Sequence, residues 1–481
     1  MSYFKPLFKT AAVAACLLGM ASPLRAQEPD DPNWKLEVSA NQRFFQRGDG
    51  TPFFWLGDTG WLMFKKLDRE EAERYLEDRR RKGFNVVQAM VLHTAGDVNA
   101  YGSAALIDQD PGRPKVTPGN DPGKNGEYDF WDHVDWIVSK AAEKDIYIGM
   151  VASWGSIARG GQLNENNVEA YTRFLADRYK ARPNIIWITG GDTHGDRETE
   201  VWRTMGRMFQ KLDPNHLVTF HPFGRTQSST WFHAEPWLDF NMFQSGHRRY
   251  DQDDTPNAKG EDGWRYVVED YAKQPPKPTL DAEPSYEGIP QGLHDPKEPY
   301  WIDSDVRRYA YWSVFAGAAG HTYGHSAVMQ MHKEGSGAGG YGVRTFWHEA
   351  IDDPGAGQMQ HLKNLMLSRP YEERAPGQSL VAGENGERYE YVIAIRGSNY
   401  AFAYTYTGRP FQVRMGTISG DQVRAWWYDP RAGSAREIGV FANKGERSFD
   451  PSGEPKPGND WVLVLDDAAA GFSAPGTRGA P

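Results

Sequence analysis

Residues Pro183–Asp196 read PNIIWITGGDTHGD. Within them Ile185–Ile188 is a wholly apolar run, too short for a helix and bounded by Pro and Gly. That pattern predicts a strand buried on both faces, as in a parallel sheet. Gly190-Gly191 ends the run and lets the backbone turn sharply. Asp192 comes next, then Thr193, His194 and Asp196. A carboxylate at the carboxyl end of a buried parallel strand is where α/β enzymes keep their chemistry. The plainer alternative is a turn or helix-cap aspartate. The surrounding chain has to decide.

Moving outward, the same unit recurs. Pro52–Leu56 (PFFWL) is the first strongly apolar strand and runs into Gly57-Asp58-Thr59-Gly60-Trp61. Asp68 and Glu71 form a capping box for a helix that Gly83 stops. Asn85–Leu92 is a second strand ending at His93, followed by a polar loop, Thr94–Glu127, and a helix over Asp129–Lys144. Phe130, Val134, Ile137, Val138 and Ala141 share one face of that helix. Ile146–Ala152 is the third strand and ends at Ser153-Trp154, with a helix over Asn167–Lys180.

Beyond the opening stretch comes a helix over Glu198–Leu212, then a fifth strand, Leu217–Phe220, ending at His221. Leu238–Phe243 is the sixth, ending at Gln244-Ser245 and His247. Pro278–Ala282 is the seventh, ending at Glu283. Gly320–Tyr323 is the eighth, with His325 beyond it. Helices over Asp262–Ala272, Asp303–Ala318 and Gly357–Ser368 separate or follow these.

Eight strand-then-helix units are the count of a (β/α)8 TIM barrel, here expected over residues 27–371. A doubly wound sheet is the rival α/β fold. It would usually carry a glycine-rich phosphate loop after its first strand, and Gly57–Gly60 lacks that spacing. After Pro370 the helical period disappears. Tyr389–Arg396, Tyr400–Thr407, Phe411–Met415, Val423–Tyr428 and Trp461–Leu465 are short strands between Gly, Asn and Pro turns, which predicts a β-sandwich over 372–467. Residues 468–481 are small and polar and are expected to form a flexible tail.

The first residues predict export. Lys5 and Lys9 precede the apolar run Ala11–Ala21, and Leu24-Arg25-Ala26 offers a cleavage point, so residues 1–26 are expected to be a signal peptide. The run is too short for a stable membrane span. Cys16, the one cysteine among 481 residues, lies inside the run rather than after it, which makes a lipoprotein anchor the weaker alternative. The expected location is periplasmic or extracellular. The net charge of −10 argues against a nucleic-acid partner, whose binding depends on neutralising phosphates.

If the barrel holds, one face collects the residues after each strand: Asp58, Trp61, Gln88, His93, Trp154, Asp192, His221, Gln244, His247, Glu283, Tyr323 and His325. Carboxylates, neutral hydrogen-bonding groups and aromatic rings together suit an oligo- or polysaccharide. The 17 Trp and 23 Tyr residues fit that inventory, although the first reading of any single Trp is core. Glycoside hydrolysis generally needs two carboxyl groups flanking the scissile bond. Asp192 and Glu283 follow the fourth and seventh strands, so both can lean into one cleft. Asp58 reads as a hydroxyl binder, and Asp281, inside its strand, as a supporting residue.

Two other chemistries remain in view. His321 and His325 make an H-x3-H, but across a strand end and a turn rather than along a helix. A metal-centred barrel hydrolase using His93, His221, His247 and an Asp is an alternative, as is a non-catalytic glycan-binding protein of the envelope. No G-x-S-x-G elbow occurs. No metal or other cofactor is expected.

Five separated motifs carry a resemblance: FFWLGDTGW (Phe53–Trp61), KGFNVVQ (Lys82–Gln88), IIWITGGD (Ile185–Asp192), DAEPSYEG (Asp281–Gly288) and GHTYGH (Gly320–His325). In this order they resemble the apiosidase-like glycoside hydrolases, glycoside hydrolase family 140, formerly domain of unknown function 4038. WWYDPRAG (Trp426–Gly433) resembles the collagen-binding-type β-domain that accompanies that family. The resemblance implies a (β/α)8 barrel that releases apiose from pectic side chains by exo action. It also implies Asp192 as general acid/base and Glu283 as nucleophile.

Overall fold

The computed structural model describes Met1 and residues 34–256 and 258–477. The expected signal peptide beyond Met1, Cys16 within it, and residues 478–481 lie outside the described residues. Eight parallel strands form the barrel: β1 (Trp55–Thr59), β2 (Val86–Met90), β3 (Tyr147–Val151), β4 (Ile185–Thr193), β5 (Val218–Pro222), β6 (Asn241–Gln244), β7 (Thr279–Asp281) and β8 (Gly320–Tyr323). They pair in the order β5-β4-β3-β2-β1-β8-β7-β6, and Thr226–Gln227 adds a ninth, antiparallel strand beside β6. The seam between β5 and β6 is closed by fewer bonds. The Asp239 N–H donates to the Val218 carbonyl (2.9 Å), and the Thr219 hydroxyl donates to the Phe240 carbonyl (2.6 Å).

These strands form because their residues are apolar on both faces. β2 and β3 are buried throughout. One face fills the barrel and the other packs under helices α1 (Arg69–Arg81), α2 (Phe130–Ala142), α3 (Val168–Tyr179), α4 (Thr199–Leu212), α5 (Trp264–Tyr271), α6 (Asp303–Phe315) and α7 (Pro354–Leu367). Asp68 and Glu71 cap α1 reciprocally, and Asp129 and Asp132 do the same for α2. α4 shows the packing logic. Val201, Trp202, Met205 and Phe209 lie on its buried side, where the Phe209 ring stacks on Trp187 of β4 at 4.1 Å.

The run Pro52–Leu56 divides. Pro52–Phe53 belongs to a small antiparallel sheet with Leu36–Val38 and Phe45–Arg47, and the barrel strand starts at Trp55. Phe45 of that sheet meets Phe240 edge-on at 5.0 Å and so plugs the bottom of the barrel.

From Ala375 two antiparallel sheets, of six and three strands, enclose a core that includes Leu380, Val392, Val413, Val423, Trp427, Phe449 and Leu463. This sandwich packs on α6, which explains why almost every residue of that helix is buried. Residues 468–477 of the expected tail are described. They are docked: Arg369 lies 4.6 Å over the Phe472 ring, and the Gly476 N–H donates to Ser368 Oγ at 3.2 Å.

Candidate active site

β4 ends in a bulge. Gly190, Gly191 and Asp192 have φ of 85°, 96° and 50°, and the register against β5 shifts between Gly190 and Thr193. A Cβ on Gly190 or Gly191 would lie 2.6 Å from the Phe220 or Trp154 ring, so both positions require glycine. Bulges re-aim side chains. Here the bulge turns Asp192 into a cavity of about 460 Å³ that also holds Glu283. Burial first, and then the charge of Glu283, push the Asp192 carboxyl up to about 7, against the opposing pull of Arg159, the Gly224 N–H and Arg225. At neutral pH it therefore retains a proton for much of the time.

Glu283 stands just past β7 between two imidazoles. His247 Nε2 lies 3.2 Å from Oε1, and His221 Nε2 approaches Oε2 at 3.4 Å, too long for a well-formed hydrogen bond. His221 is fully buried, and burial lowers its pKa despite the neighbouring carboxylate. It is therefore neutral. Its Nδ1 faces the Asp192 N–H at 3.4 Å, which leaves Nε2 to carry the proton toward Glu283.

The backbone beneath Glu283 is braced from inside the barrel. Gln88 Nε2 donates to the Ala282 carbonyl at 2.9 Å. Asp281 accepts from Ser245 Oγ at 2.6 Å, and burial raises its carboxyl to about 7. Aromatic rings line the floor. Trp61 meets Trp154 and His221 at 5.6 and 5.3 Å, and its Nε1 donates to the Tyr286 hydroxyl at 3.0 Å.

Of the residues expected from strand ends, Asp192, Glu283, Trp61, His93, Trp154, Gln244 and His247 line this cavity. His221 lies behind Glu283. Four do not face it. Asp58 is fully buried, accepting from Arg79 Nε and the Tyr75 hydroxyl, each at 2.6 Å. β1 runs on through Thr59, so alternation aims residue 58 outward at α1 and excludes it as a hydroxyl binder. Gln88 is fully buried, with its Nε2 taken by the brace on Ala282. The Tyr323 hydroxyl donates to Glu287 Oε2 at 2.6 Å. His325 pairs with Asp353 at 2.8 Å, and its Nδ1 accepts from the Ala327 N–H.

Sequence reading missed Tyr286, Phe223, Arg225, Arg248, His294 and Tyr341, all of which line the cavity. Tyr286 lies inside DAEPSYEG, three residues after Glu283, and that spacing was a usable signal. The others sit on loops with no periodic pattern. Among the described residues no three His, Cys, Asp or Glu side chains are grouped to hold a metal ion, and no helix is long and apolar enough to cross a membrane.

Comparison with known proteins gives consistent results. The family model "Apiosidase-like, catalytic domain" matches residues 39–373, and "Putative collagen-binding domain of a collagenase" matches 375–466. No curated protein matches the chain. A solved structure described as a glycoside hydrolase is 49% identical, with a TM-score of 0.87, over 91% of this chain and 98% of its own. A glycoside hydrolase family 5 structure from Bacteroides vulgatus ATCC 8482 is 47% identical, also with a TM-score of 0.87, over 93% of this chain and 96% of its own.

Proposed function

We propose, from the premise that this chain belongs to the apiosidase-like glycoside hydrolases, that it releases a terminal sugar, apiose, from the side chains of pectin by a retaining mechanism. The observation that carries the reading is the contrast between two neighbouring carboxyl groups. Asp192 is held near a pKa of about 7, whereas Glu283 rests against imidazole nitrogens. Pairs whose surroundings differ in this way divide into acid and base or nucleophile.

In the proposed sequence a Glu283 oxygen bonds to the anomeric carbon as the glycosidic C–O bond breaks. Asp192 delivers its proton to the leaving oxygen. Asp192, now a carboxylate, takes a proton from an entering water. The water oxygen displaces Glu283, the sugar leaves, and Asp192 is again protonated.

The charge of the cavity supports an acidic polysaccharide. In a chain of net charge −10, Lys66, Arg225 and Arg248 all line it. Burial and the neighbouring Arg248 lower the pKa of Arg225. Asp253, 3.5 Å from Arg225, and Asp254, beside Arg248, offset part of that repulsion, and a uronate carboxylate would relieve the rest. A cavity rather than a long groove supports attack at a chain end. Such a substrate lies outside the cell, in keeping with the expected export. Incubation with fractionated pectins, with identification of the released monosaccharide and its first-formed anomer by NMR, tests this. Release of no sugar from any pectic fraction, or inversion at the anomeric carbon, would contradict it.

A further inference from the structure

Tyr341 lies in the loop after β8 with a φ of 55°. A bulky residue adopts this left-handed conformation only where its surroundings impose it. Here they do. The Gly340 N–H donates to Gln330 Oε1 (2.7 Å), and the Gly340 carbonyl accepts from Gln330 Nε2 (3.1 Å). On the other side the Gly342 carbonyl accepts from the Tyr300 hydroxyl at 2.9 Å. Gly339 and Gly342 leave no room for a side chain, since a Cβ would meet Val343 at 2.4 Å and Tyr300 at 2.8 Å.

This constraint does not serve to bury the ring, which is 44% exposed. Instead the ring lines the cavity beside His294, with centroids 5.9 Å apart. It is close enough to Asp192 and Glu283 for their charges to raise its phenol pKa, after burial. The floor of the same cavity is formed by Trp61 and Tyr286, which are 3% and 1% exposed. A sugar reaching the two carboxyl groups therefore lies deep, and whatever is attached to it passes Tyr341 on the way out.

We propose that Tyr341 is a specificity-determining residue: its ring is the wall against which the leaving-group part of the substrate lies when the scissile bond reaches Asp192. The proposal rests on Asp192 and Glu283 being the catalytic pair. Strain at a position that adds nothing to the core is retained for what the ring meets in the cavity.

The test compares Tyr341→Phe, Tyr341→Ala and Tyr341→Gly with the parent for sugar release from pectic oligosaccharides. Thermal melting is measured alongside, and Asp192→Asn is the control for the site. Tyr341→Ala and Tyr341→Gly should raise KM about tenfold with kcat nearly unchanged, the scale of one aromatic contact, while Tyr341→Phe stays within about twofold. Tyr341→Gly should melt at or above the parent temperature, because glycine tolerates the left-handed backbone. An unchanged KM in Tyr341→Ala overturns the proposal, as does a Tyr341→Gly melting temperature several degrees below the parent. Sugar release by Asp192→Asn would instead overturn the catalytic assignment.

Discussion

Glu283 Oε1 lies 3.2 Å from Nε2 of His247. Among the described residues the basic side chains within 4 Å of it are imidazoles, His247 and the neutral His221, rather than Lys or Arg. The carboxylate is thereby oriented without a permanent cation quenching it. Glu283→Gln should lower kcat by about 10⁴ or more, as expected for loss of a nucleophile. His247→Ala leaves the carboxylate in place but loosely held, and should cost about 10–10². Initial rates of sugar release, with circular dichroism to confirm folding, check both. A Glu283→Gln enzyme with a tenth of the parent activity would remove Glu283 from the mechanism.

As the proposed general acid, Asp192 should set the alkaline limit. With its carboxyl near 7, kcat/KM should fall as pH rises through about 7, because the general acid loses its proton. A profile flat to pH 9 would contradict this. The same shift acts on stability, and its sign can be worked out. The folded-state pKa of about 7 lies above the ordinary carboxylate value, so the folded protein binds the proton more tightly. Stability therefore declines between about pH 4 and 7 and levels off above, by at most about 4 kcal/mol before screening in the open cavity reduces it. Asp192→Asn should match the parent in melting temperature at pH 4 and exceed it at pH 8.

Asp58 tests the opposite case, a carboxylate that was expected in the site and is not there. Its oxygen accepts from Arg79 at 2.6 Å with both side chains fully buried. Removing one partner of such a pair leaves a buried charge uncompensated and costs about 3–5 kcal/mol. Asp58→Ala should therefore unfold at markedly lower denaturant, while the fraction that remains folded keeps the parent KM. A raised KM at unchanged stability would restore Asp58 as a hydroxyl binder.

What separates Asp58 from Asp192 is physical, and it marks how far the sequence could be read. Both follow apolar runs, and both precede or follow glycines. At Asp192 the pair Gly190-Gly191 bulges the strand before it ends at Thr193, and the left-handed backbone aims the carboxyl into the mouth. At Asp58 only Gly57 precedes, the strand keeps its regular alternation to Thr59, and the carboxyl turns to the helices. The strand count and the pairing of Asp192 with Glu283 were legible because apolar runs and their ends are local properties. Arg225, Arg248 and Tyr341 were not, since long loops without a period give no clue to which residue returns to the cavity. Phe472 shows the same limit in reverse. A small, polar tail hid one ring that docks under Arg369.

The sandwich is joined to the barrel by buried ion pairs and stacked rings. Arg307 of α6 donates to both oxygens of Asp460 at 2.9 and 2.8 Å, and Arg369 does so to Asp466 at 2.7 Å each, all four side chains being buried. Tyr311 of the same helix stacks on Tyr404 at 4.8 Å. Interfaces within a chain are ordinarily polar and allow relative motion. This one combines paired charges with apolar rings, so removing the sandwich would expose Tyr311 and Phe315 and strip Arg307 of Asp460, leaving it Asp303 and Gln358 alone. Calorimetry of the full chain should show one cooperative transition, and a chain ending at Pro370 should aggregate or melt well below it. Two separated transitions, with a soluble and active barrel fragment, would show the domains to be independent.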